Sequence, residues 1–247
     1  MRFIWDFLTA LQFLTRIPIP SFSYDERAFG RSVAFFPIIG LLIAATAYGF
    51  NQIFAHHLPQ PVRMILLVGV IVLITGALHE DGLADTADAL GGSWTRSRAL
   101  EIMRDSRIGT YGALAVTFSV LTRYVLLCRL TPQQLWPWLA CAQMLARWSA
   151  VPLAAALPPA RNEDSGNTGL LAKRVPLPAM LIATILLVSI GGFLLGTHFV
   201  FPLIAAFVVV VFSGLYYSRR ISGTTGDCFG ATIQLVEISV YLCAVMR

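Results

Sequence analysis

The chain has 247 residues, 57% of them hydrophobic and 13% charged, with a mean hydropathy of +0.72. A soluble domain carries about 25% charged residues, so this composition excludes an ordinary soluble enzyme and, more firmly, a disordered chain. The net charge of +5 does not call for nucleic acid, because an Arg/Lys excess on the inner face of a membrane protein gives the same balance.

In chain order, Phe3–Thr15 is apolar but too short to cross a bilayer, and it is expected to lie in the interface as an amphipathic helix. Longer apolar runs follow at Val33–Phe54, Val62–Leu78, Tyr111–Leu130, Leu135–Leu157, Leu177–Gly196, Phe199–Tyr217 and Phe229–Met246. At roughly 20 residues per span, they predict an all-α, polytopic membrane bundle of about six or seven helices. No repeat or polar linker divides the chain, so residues 1–247 read as one membrane domain. Met1–Arg16 contains Asp6 and lacks a small-residue cleavage site, so no cleavable signal is expected. Cys128, Cys141, Cys228 and Cys243 show neither metal-ligand nor disulfide spacing and read as inert. Trp5, Trp136 and Trp138 read as interface anchors.

The basic residues orient this bundle. Arg2, Arg16, Arg27, Arg31, Arg96, Arg98, Arg104, Arg107, Arg161, Lys173, Arg174, Arg219 and Arg220 fall on the side of the N-terminus. Only Arg63, Arg129 and Arg247 fall on the other, while Arg123 and Arg147 lie within spans. That asymmetry predicts a cytoplasmic N-terminus.

Acids are scarce, 13 in all, and six of them lie between positions 80 and 105: Glu80, Asp81, Asp85, Asp88, Glu101 and Asp105. On a helix, at ~100° per residue, Asp81, Asp85 and Asp88 stand at roughly 0°, 40° and −20°. Three carboxylates on one narrow face repel one another unless a cation sits among them, and hard ions such as Mg²⁺ bind oxygen ligands and work with phosphates. Asp81, Asp85 and Asp88 are thus the candidate metal ligands, against the plainer reading of a solvated acidic helix end. Glu80 points about 100° away, either to solvent or to a supporting place behind the ligands. His79 points nearly opposite and reads as structural.

Arg104 and Arg107 flank Asp105 ahead of Gly109 and Gly112, and the planar arginine fork suits phosphate oxygens. Arg16 is a weaker candidate for the same task. The island Ser222–Ala231 sets three glycines and hydroxyls around Asp227, which suits an anion cradle or a completed metal site. An ordinary helix N-cap at Asp227 is the competing explanation. Glu237 and Arg147 are intramembrane charges, which usually face a protein interior or a site. All of these islands fall on the cytoplasmic side predicted from Arg and Lys alone.

Two segments, His79-Glu80-Asp81-Gly82-Leu83-Ala84-Asp85-Thr86-Ala87-Asp88 and Met103-Arg104-Asp105-Ser106-Arg107-Ile108-Gly109, resemble those of the cobalamin synthase (adenosylcobinamide-GDP ribazoletransferase) family. Phe13-Leu14-Thr15-Arg16-Ile17-Pro18, Phe36-Pro37-Ile38-Ile39-Gly40 and Thr225-Gly226-Asp227 match it too, so the resemblance covers nearly the whole chain. Ala89 stands where the family tends to have Gly, and Gln234 where it often has Glu. The resemblance implies a Mg²⁺-dependent inner-membrane transferase that joins adenosylcobinamide-GDP to α-ribazole, or to its 5′-phosphate, and releases GMP. Its partners are then these small molecules and the lipid bilayer, not nucleic acid, and a homo-oligomer is compatible with it. On this reading Mg²⁺ sits on Asp81, Asp85 and Asp88, and Arg104, Arg107 and Arg16 hold phosphate. Asp105 or Asp227 handles the incoming hydroxyl, with Glu80, Glu237 and Arg147 in support. Two alternatives stay open: a CDP-alcohol phosphotransferase, whose Ala-Arg after Asp-Gly is replaced here by Asp85-Thr86, and a cation transporter, whose acids usually lie nearer the midplane.

Overall fold

Four apolar helices, α3 and α9 to α11, surround a fifth, α8, whose polar side chains face inward. The computed structural model describes residues 2–19, 26–161 and 175–246, so Lys173, Arg174 and Arg247 lie outside the described residues. The helices are α1 (Arg2–Leu14), α2 (Glu26–Ser32), α3 (Phe36–Ile53), α4 (Gln60–Thr75), α5 (Leu78–Gly92), α6 (Arg96–Ile102), α7 (Thr110–Cys128), α8 (Pro132–Ala156), α9 (Leu177–Leu195), α10 (Val200–Ile221) and α11 (Gly226–Val245). No strand occurs among the described residues, as the all-α expectation requires; the one β-bridge joins Pro159 to Thr224.

Local sequence explains the helix ends. Proline opens α3, α4, α8 and α9, where a missing N–H costs nothing and φ is already helical. Thr131 and Gln134 form a reciprocal capping box on α8. On α3, Gly40 lies directly against the backbone of Gln143 and Met144 of α8, so the two helices touch with no side chain between them.

Among the described residues, four helical stretches are long and apolar enough to cross a membrane: Ala28–Ile53, Thr110–Cys128, Leu177–Ile221 and Gly226–Val245. Taking α4 and α5 together makes five. The expected six or seven differ from this for physical reasons. α8 carries Gln143, Arg147 and Ser149 on buried faces, so its mean apolarity is diluted although it sits at the centre. The stretch Leu177–Ile221 has 45 residues, about 68 Å as a straight helix, over twice the hydrocarbon thickness. It is not straight, because Gly196 has φ +59° and the Phe199 ring lies on Gly191. Eight residues along one helix would be about 12 Å apart, so the helix is broken there, between α9 and α10.

α5 does not prolong α4. Gly76 (φ 64°) and Ala77 (φ 57°) are both left-handed, and the chain bends 88° between the two helices. Gly76 is needed twice, for its φ and because the Arg16 side chain lies where a Cβ would be. We read α5 as lying at the end of the bundle, outside the spans. α6 and the loops before α9 and α11 gather at this end: Arg96 donates to the carbonyls of Ile221 (2.9 Å) and Ala160 (2.6 Å), and Arg161 to that of Leu100 (2.8 Å). Trp138 is buried at 3% exposure and so packs in the core instead of anchoring the interface as expected; α8 turns it inward.

Candidate active site at the end of the bundle

Glycine brings the two polar islands together. A Cβ on Gly82 would stand 2.9 Å from the Asp227 carbonyl oxygen and 3.2 Å from the Gly230 Cα. Only two facing glycines let α5 and the first turn of α11 cross at backbone distance. The crossing sets Asp227 beside the acid face of α5. Thr225, not Asp227, caps α11 by accepting from the Cys228 N–H, which removes the N-cap explanation for the aspartate. Asp227 instead sits in the first helical turn, accepting from the Thr225 hydroxyl at 3.3 Å.

Asp85 reports the result. Partial burial, then the charges of Asp227, Asp81 and Asp88, push its carboxyl up to about 7. Asp85 thus feels three other carboxylates, two from its own helix and Asp227 from α11. Among the described residues, no three His, Cys, Asp or Glu side chains close around a common point as a finished metal site. Asp88 shows one reason. Its Oδ2 accepts from the Gly109 N–H (2.7 Å) and its Oδ1 from the Gly112 N–H (2.8 Å), which pins the start of α7 to α5.

The predicted phosphate and hydroxyl groups are placed differently. Asp105 and Arg107 hold each other: the guanidinium donates to both carboxylate oxygens at 2.6–3.1 Å, and the Arg107 N–H adds a bond of 3.1 Å. Those bonds pull the Asp105 carboxyl down to about 2. Arg104 is exposed, and Glu101 pairs with Arg98 at 2.8 Å. Arg16 is exposed at the foot of α5, its N–H donating to Ile74 O at 2.7 Å.

The supporting residues form a second, buried group. Glu80 of α5 accepts from Arg123 (2.9 Å) and Gln234 (3.0 Å), and Gln234 accepts from Ser119 (2.8 Å). Arg123 reaches Glu237 at 3.7 Å and Arg147 reaches it at 3.9 Å. Gln143 links Arg147 to Tyr241, whose hydroxyl donates to Glu237 at 3.3 Å. All four charges are 6% exposed or less. Arg147 thus serves Glu237, not the surface aspartates. Arg123 is the residue that sequence reasoning undervalued; its signal was a charge inside an apolar run.

A helical bundle with apolar spans and a cluster of carboxylates at one end has the form of a membrane-embedded enzyme. Comparison with known proteins makes this specific. The cobalamin-5-phosphate synthase family model matches residues 6–245, and the chain belongs to that family. Proteins named adenosylcobinamide-GDP ribazoletransferase from Geotalea daltonii, Shewanella woodyi and Sinorhizobium medicae are 35%, 37% and 39% identical. The matches cover 94%, 96% and 97% of this chain and 93%, 93% and 96% of those proteins. The family is one of transferases in cobalamin biosynthesis. No solved structure matches the chain.

Proposed function

We propose that the chain joins adenosylcobinamide-GDP to α-ribazole, or to α-ribazole 5′-phosphate, and releases GMP at the cytoplasmic face of the inner membrane. The observation that carries this reading is the crossing of α5 and α11, which sets Asp227 against three aspartates already sharing one face. The names of the relatives supply the substrates. The arginines gathered at the same end, Arg96, Arg161 and Arg220 among them, support the cytoplasmic orientation.

In the reaction, a ribose hydroxyl oxygen forms a bond to the phosphorus that carries the cobinamide arm. The diphosphate bridge to that phosphorus breaks, and GMP leaves with the electron pair. Asp81 and Asp85, with the lone pairs of Asp88 that Gly109 and Gly112 do not use, would hold Mg²⁺, which would supply charge neutralisation at the diphosphate. Asp227 accepts the hydroxyl proton. It is better suited than Asp105, because a carboxylate held near 2 is a weak base. Arg104 is the exposed phosphate clamp, and Arg107 joins it when the incoming phosphate competes with Asp105 for its fork. Arg16 stands at the foot of α5 for the same charge.

The test is GMP release from adenosylcobinamide-GDP by purified protein, with each form of the ribazole and with Mg²⁺ varied. Full Mg²⁺-dependent release is expected from wild type, and a loss of at least about 100-fold from Asp85→Asn and Asp227→Asn. No release with either ribazole sinks the reading; full activity of Asp85→Asn at limiting Mg²⁺ sinks the metal assignment alone.

A further inference from the structure

A cleft opens beside the acid face, and nothing in the transfer chemistry described so far uses it. Phe13 of α1 and Phe36 of α3 form one wall, Phe229 and Ile233 of α11 another, and Asp81 and Asp227 also line it. Phe13 and Phe36 are stacked, with ring centroids 5.9 Å apart and planes at 19°, and Phe29 packs edge-on behind Phe13 at 4.9 Å. The wall is therefore a fixed aromatic face, not a mobile one. His79 lines the same cleft; it is 2% exposed, and its Nε2 has no hydrogen-bond partner among the described residues. A buried ring nitrogen left unpaired is unfavourable, so a polar group that enters with a ligand has a partner waiting.

Size and chemistry choose the occupant. The cleft has a volume of about 60 Å³, less than half of the roughly 150 Å³ that encloses a benzene ring. It takes the edge of a flat ring whose remainder stays in the open mouth, and it has no room for a corrinoid. Its walls are apolar and aromatic, which suits a heteroaromatic base and not a diphosphate. The two carboxylates reach it from the side where the hydroxyl must be activated.

We propose that this cleft seats the base of the nucleoside acceptor, edge-on against Phe13, whose ring Phe36 backs, with His79 Nε2 as its one directed hydrogen bond and its ribose beside Asp81 and Asp227. The assignment rests on the transfer reaction proposed above. It makes the site two-sided: acceptor in the cleft, donor diphosphate on the exposed side where Arg104 stands.

Leu78 opens α5 at the mouth of the cleft and is 38% exposed, so it can be enlarged without disturbing the core. GMP release by the full chain in lipid nanodiscs is measured with α-ribazole and adenosylcobinamide-GDP varied in turn. Leu78→Trp is expected to raise KM for α-ribazole at least about tenfold, with KM for adenosylcobinamide-GDP within about twofold and the melting temperature unchanged; a lost ring contact of 1.4 kcal/mol gives that factor. His79→Gln is expected to raise the same acceptor constant about fivefold, the worth of one hydrogen bond. Should Leu78→Trp fold poorly, Leu78→Ala tests the same wall and should move only the acceptor constant. A shift in the donor constant alone, or in neither, overturns the assignment while leaving the reaction standing. Absence of GMP release from wild type overturns both.

Discussion

Two groups of charged residues lie within a few residues of each other along α5, and they behave in opposite ways. Glu80 turns inward, where Arg123, Arg147 and Glu237 complete a buried set of two acids and two bases. Asp81 is exposed, Asp85 is half-buried and Asp88 is buried on two backbone N–H groups, and the group brought to them, Asp227, is another acid. The first set is neutral by itself and serves to hold α5, α7, α8 and α11 together. The second gathers like charges, and its members raise the cost of ionising Asp85.

The sharpest way to break this contrast is Arg123→Met. It strands Glu80 and Glu237 in the bundle, and removing one partner of a buried pair costs about 3–5 kcal/mol. Thermal unfolding in detergent should show a large drop, partly recovered when Glu80→Gln is added; a melting curve equal to wild type would mean the buried set holds nothing. Asp85→Asn should do the reverse, abolishing GMP release while leaving the melting temperature equal or higher, because it relieves repulsion. Asp88 stands between the two groups. Asp88→Asn weakens two charge-assisted bonds to Gly109 and Gly112 and should cost about 1.5–3 kcal/mol of stability as well as activity.

The smallest effect is a pH dependence. In the folded chain Asp85 ionises near 7, against an ordinary 3.8, so its folded pKa is raised. Stability from this group is fully present below about pH 4 and is lost as pH rises through 7. Metal-free protein should therefore melt about 2–4 °C lower at pH 8 than at pH 6, with Mg²⁺ cancelling the difference and Asp85→Asn removing it. An unchanged difference in Asp85→Asn would assign the effect to another group.

Much of this was legible in the residues. The acid face followed from the spacing of Asp81, Asp85 and Asp88, since a helix turns about 100° per residue whatever surrounds it. The membrane class followed from the scarcity of charge, and the polar islands Ser222–Ala231 and Glu101–Gly112 stood out against apolar runs. Span counting was harder. Hydropathy cannot distinguish a polar residue facing lipid from one facing a partner, so α8, with Gln143 and Arg147 turned inward, reads as less of a membrane helix than it is.

Pairing was not legible at all. Nothing in the chain order says that Arg107 closes on Asp105 two residues away, that Arg123 finds Glu80 43 residues back, or that Gly82 meets Gly230. Those depend on helix crossings, which are set by where small residues allow backbones to touch. By itself the sequence determined the environment, the helices and the face on which the aspartates stand, because composition and periodicity are local properties. Only the tertiary structure decided which charges meet an opposite charge and which meet a like one, because that depends on what the fold places opposite each one.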